Sequence, residues 1–155
     1  MTRLIADVML GSLARWLRIL GYDTIYFRAI DDNELIKTAR QQERILLTRD
    51  TGIAHRKHIQ QLILVRSNAV LEQLEEVLSA LKKMNRTLPR LSSRCALCNG
   101  ELAASERDAV SDRIPEYVFL NAASFFTCRE CGKVYWCGSH KKSIDSRLQQ
   151  IISEK

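Results

Sequence analysis

The sequence predicts an α/β protein: a parallel sheet flanked by helices, followed by a small cysteine-bearing module. Three observations carry this. Short apolar runs alternate with helical periodicities from Leu4 to Lys83. Each of the first three runs is closely followed by acid: Asp7, Asp31/Asp32 and Asp50. Four of the five Cys fall in two C-x-x-C pairs beyond residue 93.

Leu4-Ile5-Ala6 is the first strand. Leu10 to Leu20 reads as a helix, with Leu13, Trp16, Leu17 and Leu20 recurring at helical spacing. Gly21 is placed to end it, because Gly enters the left-handed turn at little cost. Thr24 to Phe27, β-branched and aromatic, is the second strand. A second helix spans about Asn33 to Gln42. The run Ile45-Leu46-Leu47, too short for a helix, fits a strand buried on both faces. Residues 51–58 form a turn or short helix carrying His55, Arg56, Lys57 and His58. Leu62 to Val65 is the fourth strand. Val70 to Lys83 is an amphipathic helix with Leu71, Leu74, Val77, Leu78 and Leu81 on one side. Strands joined through helices pair in parallel. Residues 1–84 are thus one domain, 85–93 (with Pro89) a linker, and 94–155 a second module. That module has short strands, a loop around Asp108 to Glu116, and a helix from about Ser143 to Ile152.

Composition sets limits. Hydrophobic residues make up 46% of the 155, enough for a packed core. No apolar run approaches the roughly 20 residues of a membrane span. Asp7 and Arg15 interrupt the apolar N-terminal stretch, which argues against a signal peptide, so the expected location is the cytoplasm. The net charge is +6. Residues 1–90 hold 15 Lys and Arg against 10 Asp and Glu, a surplus that suits a polyanion such as nucleic acid.

In a parallel sheet all strand ends point one way, so Asp7, Asp31/Asp32 and Asp50 could converge on a common edge. Clustered carboxylates need a cation, and Mg²⁺ or Mn²⁺ suits hard oxygen ligands. Such an ion activates water against a phosphodiester. Glu34 is an optional further ligand. Arg15 can hold a phosphate by paired hydrogen bonds, with Arg18 beside it. Arg49 is less well placed, since its side chain points opposite to that of Asp50. Arg56 and Lys57 add positive charge nearby. Taken singly, a cap or turn is the commoner role for such an Asp. Asp31-Asp32-Asn33-Glu34 also reads as a capping box. The coincidence of three strands ending in acid is what points to a site.

Cys95-x-x-Cys98 and Cys128-x-x-Cys131 supply four thiolates, a closed structural Zn²⁺ set. Gly100 and Gly132 suit the tight knuckles. Cys137 is left over, and His140 is not needed as a ligand. Zinc would supply the folding energy that so small a module lacks. Tyr135 and Trp136 are more naturally packing residues than base-stacking ones.

These features meet in one resemblance. Asp7-x-Met9-Leu10-Gly11-x-Leu13-Ala14-Arg15-Trp16-Leu17-Arg18-x-Leu20-Gly21-Tyr22-Asp23 resembles the opening signature of the Mut-seven C-terminal RNase domain. Asp32-x-Glu34-Leu35, Leu47-Thr48-Arg49-Asp50 and Ser93-Arg94-Cys95-x-x-Cys98-Asn99 resemble its middle. Cys128-x-x-Cys131-x-x-Val134-Tyr135-Trp136-x-Gly138-Ser139-His140 resembles its close. The resemblance implies a PIN-like, Rossmann-like nuclease fold fused to a zinc ribbon, and a metal-dependent ribonuclease. Asp7, Asp32 and Asp50 would be its metal-binding carboxylates and Arg15 an active-site partner. Two departures stand out. No acid lies between Asp50 and Glu72, where many PIN-type enzymes carry a fourth, so one metal or two is left open. Ser12 stands where similar sequences often have a basic residue.

The expectation is a ribonuclease acting on single-stranded RNA, with phosphate contacts from Arg15, Arg18, Arg49, Arg56 and Lys57. The alternative is a non-catalytic RNA-binding or ribosome-associated module. A toxin-like nuclease held by a protein inhibitor is a third reading.

Overall fold

A computed structural model describes residues 1–86 and 93–137. The expected helix over 143–152, His140 and most of the 85–93 stretch lie outside these residues. By contacts the chain divides into two units, Met1–Asn99 and Gly100–Lys155.

The first unit is the predicted α/β layer structure. β1 (Arg3–Ala6), β2 (Asp23–Tyr26), β3 (Ile45–Thr48) and β4 (Leu62–Leu64) form one sheet in the order β2-β1-β3-β4. All three pairings are parallel, with Ile5 opposite both Ile25 and Leu46. The helices are α1 (Gly11–Ile19), α2 (Asp32–Gln41), α3 (Thr51–Ala54) and α4 (Val70–Lys83). A short 3-10 turn, Val8–Leu10, leads into α1. β1 and β3 are the central strands, and Leu4, Ile5, Ala6, Leu46 and Leu47 are fully buried. Alternation along the strands sends Ile5 and Leu46 to the α2–α3 side, where they pack with Leu35, Ala39 and Ile53. α1 packs against β1, β2 and α4.

The helix ends follow from named residues. α1 closes with the Gly21 amide bonded to the Arg18 carbonyl and the Tyr22 amide to the Leu17 carbonyl. This double bond pattern needs a left-handed residue, and Gly21 has φ of 92°. Gly11 answers a different demand: a Cβ there would lie 2.8 Å from the Tyr26 hydroxyl. Only a bare Cα lets Tyr26 reach the Val8 carbonyl. Asp31 caps α2 by accepting from the amides of Asn33 and Glu34.

The second unit is a three-stranded antiparallel sheet, β5 (Leu102–Ser105), β6 (Phe125–Cys128) and β7 (Val134–Trp136), in the order β5-β6-β7. The stretch read as a loop is instead a 3-10 turn, Asp108–Arg113, and a helix, α5 (Glu116–Asn121). Its apolar residues were too few and too irregularly spaced to register as periodic. Val110, Ile114, Ala122, Phe125 and Val134 make a small core. Arg107 pins the turn and α5 together, donating to the carbonyls of Phe119 and Ala122 and lying over the rings of Phe119 and Phe125. No helix among the described residues is long and apolar enough to cross a membrane.

The amino end of β2 carries a compact polar knot. Arg44 donates two bonds to the Asp23 carboxylate, at 2.9 and 3.2 Å, and Asn99 donates a third at 2.8 Å. Burial would raise the Asp23 carboxyl, but the bonds from Arg44 and Asn99 outweigh it and hold the group below its ordinary value. The ionised form is therefore favoured by folding. Its contribution is complete above the unfolded carboxyl value and vanishes as pH falls through the lower folded one. Asp23→Asn is expected to cost on the order of 2 kcal/mol at pH 7. Urea melts from pH 7 to pH 3 should show wild type losing that margin at the acidic end, with a shallower pH dependence in the variant.

Candidate functional site

Strand order decides where a ligand fits. The chain moves from β1 to one side for β2, then crosses to the other side for β3. Neighbouring loops therefore diverge at the carboxyl ends of β1 and β3, the usual ligand crevice of open α/β sheets. Asp7 follows β1 directly and Asp50 stands two residues past β3.

One hydroxyl ties them together. Thr48 Oγ1 donates to Asp7 Oδ2 at 2.5 Å and accepts from the Asp50 amide at 3.0 Å. Asp7 Oδ1 accepts from the Met9 amide at 2.7 Å, and the Asp7 amide donates to the Leu47 carbonyl. Asp7 is only 3% exposed, so its carboxylate is fixed through both oxygens. Asp50 is exposed and caps α3: Oδ1 accepts from the amides of Gly52 and Ile53. Gly52 suits this closeness, since a Cβ there would lie 3.0 Å from that oxygen.

Asp32 is held separately. Its Oδ2 accepts from Arg56 at 2.9 Å, while Arg56 also donates to Asn33 Oδ1 at 2.7 Å. Arg56 thus bridges the start of α2 to the segment after α3. Glu34 pairs with Lys37 at 3.7 Å on the exposed face of α2. Arg49 donates to Asn68 Oδ1 in the loop before α4. That loop is braced by Glu76, which accepts from the amides of Arg66 and Ser67 and the Ser67 hydroxyl. Arg15 and Lys57 are exposed.

Arg18 corrects the sequence reading. Its guanidinium is not offered to solvent: the residue is 5% exposed and donates to the carbonyls of Thr24, Ala96 and Leu97. Burial lowers its basicity from the ordinary arginine value. Its neighbours along α1 pack on the sheet, and Arg18 shares their buried side. It organises the first cysteine knuckle rather than a phosphate. Asn99 completes that knuckle at φ of 71°, with its amide on the Cys95 carbonyl and its side-chain oxygen on the Thr24 amide.

The four cysteines come together. The sulfurs of Cys95, Cys98, Cys128 and Cys131 all lie within 4.8 Å of one another, Cys95 and Cys128 buried, Cys98 and Cys131 exposed. Tetrahedral zinc with bonds of about 2.3 Å would set its sulfurs about 3.8 Å apart, so the set fits the ion. Gly100 makes room, since a Cβ there would lie 2.8 Å from Cys128 Sγ. Gly132 turns the second knuckle with φ of 72°. Among the described residues this is the one group of three or more His, Cys, Asp or Glu gathered closely enough to hold a metal. Cys137 lies outside it and is half-buried.

Residues 2–148 match the family described as the Mut7-C RNAse domain. The chain belongs to that family. Membership assigns it a nuclease-like role with RNA as the substrate class. No curated protein matches the chain. Within this Mut7-C RNAse domain, Thr48 is the residue whose role the sequence did not disclose. Only the register of β1 on β3 brings its hydroxyl to Asp7.

Two measurements test the site. Elemental analysis should find one zinc per chain, and Cys128→Ser should abolish it and lower the melting temperature. Thr48→Val keeps shape but strips a partner from Asp7 and from the Asp50 amide. It is expected to cost about 1–3 kcal/mol in urea unfolding.

Proposed function

We propose that the protein is a Mg²⁺- or Mn²⁺-dependent ribonuclease hydrolysing phosphodiesters of single-stranded RNA at the crevice between β1 and β3. The observation that carries this is the Asp7–Thr48–Asp50 linkage at the point where the strand order reverses. Asp7 is oriented through both oxygens, yet each carboxylate oxygen keeps further acceptor capacity. Asp50 Oδ2 takes no part in capping α3. Hard oxygen donors on adjacent strands suit a small divalent cation. Asp32 would join them, with Glu34 as an outer ligand. A bound ion supplies Lewis acidity that orients water and offsets charge on the leaving oxygen. Arg15 positions the phosphate from α1, while Arg49, Arg56 and Lys57 hold the flanking strand. A reducing compartment, the cytoplasm, suits the four-thiol zinc set.

The second reading, a non-catalytic RNA-binding module, has its own support. Asp7, Asp32 and Asp50 each already bind local donors, and they are not gathered as the cysteines are. The experiment is turnover of a labelled single-stranded RNA with Mn²⁺. Asp7→Asn and Asp50→Asn should each slow cleavage at least 100-fold while the far-ultraviolet spectrum stays native. Equal rates in variants and wild type overturn the assignment. Salt-sensitive RNA binding without any metal-dependent turnover establishes the second reading instead.

A further inference from the structure

Helix α2 runs from Asp32, near the carboxyl edge of the sheet, back towards β3 at the amino edge. Its exposed side is bordered by two cavities. The first, about 440 Å³, is lined by Lys37, Arg40, Arg56, Lys57 and His58 among others. The second, about 380 Å³, lies at the amino edge and collects Arg3, Arg40, Arg44, Arg86 and His58 around a single acid, Glu43. Arg40 and His58 line both, so the cavities adjoin. His58 is held there with φ of 78°, a conformation rare outside Gly. Arg56, which grips Asp32, lines the first cavity. Basic side chains therefore line both cavities from Arg56 to Arg86, with Arg56 paired to Asp32, Arg44 to Asp23, and Glu43 among them.

We infer that this groove along α2 is the track on which a single RNA strand lies, leading from the carboxylate edge to a phosphate-holding pocket at the amino edge. Taking RNA as the occupant rests on the ribonuclease reading; the track itself rests on the charge and the cavities. Arg44 is already bonded to Asp23 and serves as fixed charge. Arg86 is steered by Gln61, accepting at 2.9 Å. Arg3, Lys37 and Arg40 are exposed and long enough to follow a flexible backbone. Ten helical residues span about 15 Å, room for about four or five stacked nucleotides at about 3.4 Å each. Such a track favours substrates longer than the cleavage site itself and is indifferent to base sequence.

The test is fluorescence anisotropy with labelled single-stranded RNAs of 4 and 12 nucleotides. Wild-type protein is used without added divalent cation, and the RNA is checked for integrity. The 12-mer should bind at least tenfold more tightly than the 4-mer. Arg40→Ala with Arg86→Ala should weaken 12-mer binding at least fivefold. Losing two phosphate contacts should flatten the slope of log K against log salt by about 1.4. Lys37→Gln with Arg40→Gln, both on the exposed helix face, should do the same without touching the Gln61 contact. Undiminished 12-mer affinity with an unaltered slope in both pairs overturns the track, as does equal wild-type affinity for the two lengths. Length-dependent binding that the variants weaken, in a protein that never cleaves RNA with Mn²⁺, upholds the track and removes the nuclease reading.

Discussion

Parallel pairing of β1 with β3 is the constraint on which the rest depends. The two strands are separated in sequence by a full α-β-α excursion, yet Leu4, Ile5 and Ala6 lie against Ile45, Leu46 and Leu47. Leu4–Ala6 of β1 and all of β3 are buried, so a slip in register would turn core residues towards the wrong helix layer. The same register sets Thr48 beside Asp7. Core packing and site geometry are thus fixed by one choice: the apolar face that must point inward also determines which polar side chains meet just beyond it.

The fold was legible because each level of the sequence agreed with the next. Val70–Lys83 is the observed helix to the residue, since its apolar positions recur at 3.6 and it is bounded by unambiguous turns. Ile45–Leu47 was readable as a doubly buried strand because it is apolar without alternation, and the strand observed runs one residue further, to Thr48. The α5 segment was not readable, since its order depends on Arg107 reaching carbonyls 12 and 15 residues away. Long-range bonds of that kind leave no periodic trace. Arg18 failed for the same reason. Its position in α1 gave a helical phase, but the carbonyls that neutralise its donors come from residues 96 and 97. Only the assembled unit shows that an arginine near an apolar stripe belongs inside it.

That arginine also explains why the first knuckle is placed where it is. α1 runs antiparallel to the strands, so its last turn lies at the amino edge, next to the start of β2. Arg18 and Asn99 fasten Cys95–Asn99 there through four bonds to backbone and one to Asp23. Cys95 and Cys98 thus stand by the edge where β2 begins, whereas Asp7 and Asp50 follow β1 and β3 at the opposite edge.

The carboxylate edge carries a further electrostatic consequence. Asp7 is almost fully covered, and a buried charge is tolerated only when donors surround it. Thr48 and the Met9 amide provide two such donors without adding a positive charge. Asp32, more exposed, is instead neutralised by a full cation, Arg56. The two acids are therefore prepared differently. Among the described residues Asp7 accepts from neutral donors, whereas Asp32 is bound to a side chain that also borders the basic groove. On the proposed nuclease reading, a divalent cation at this edge would compete with Arg56 for Asp32.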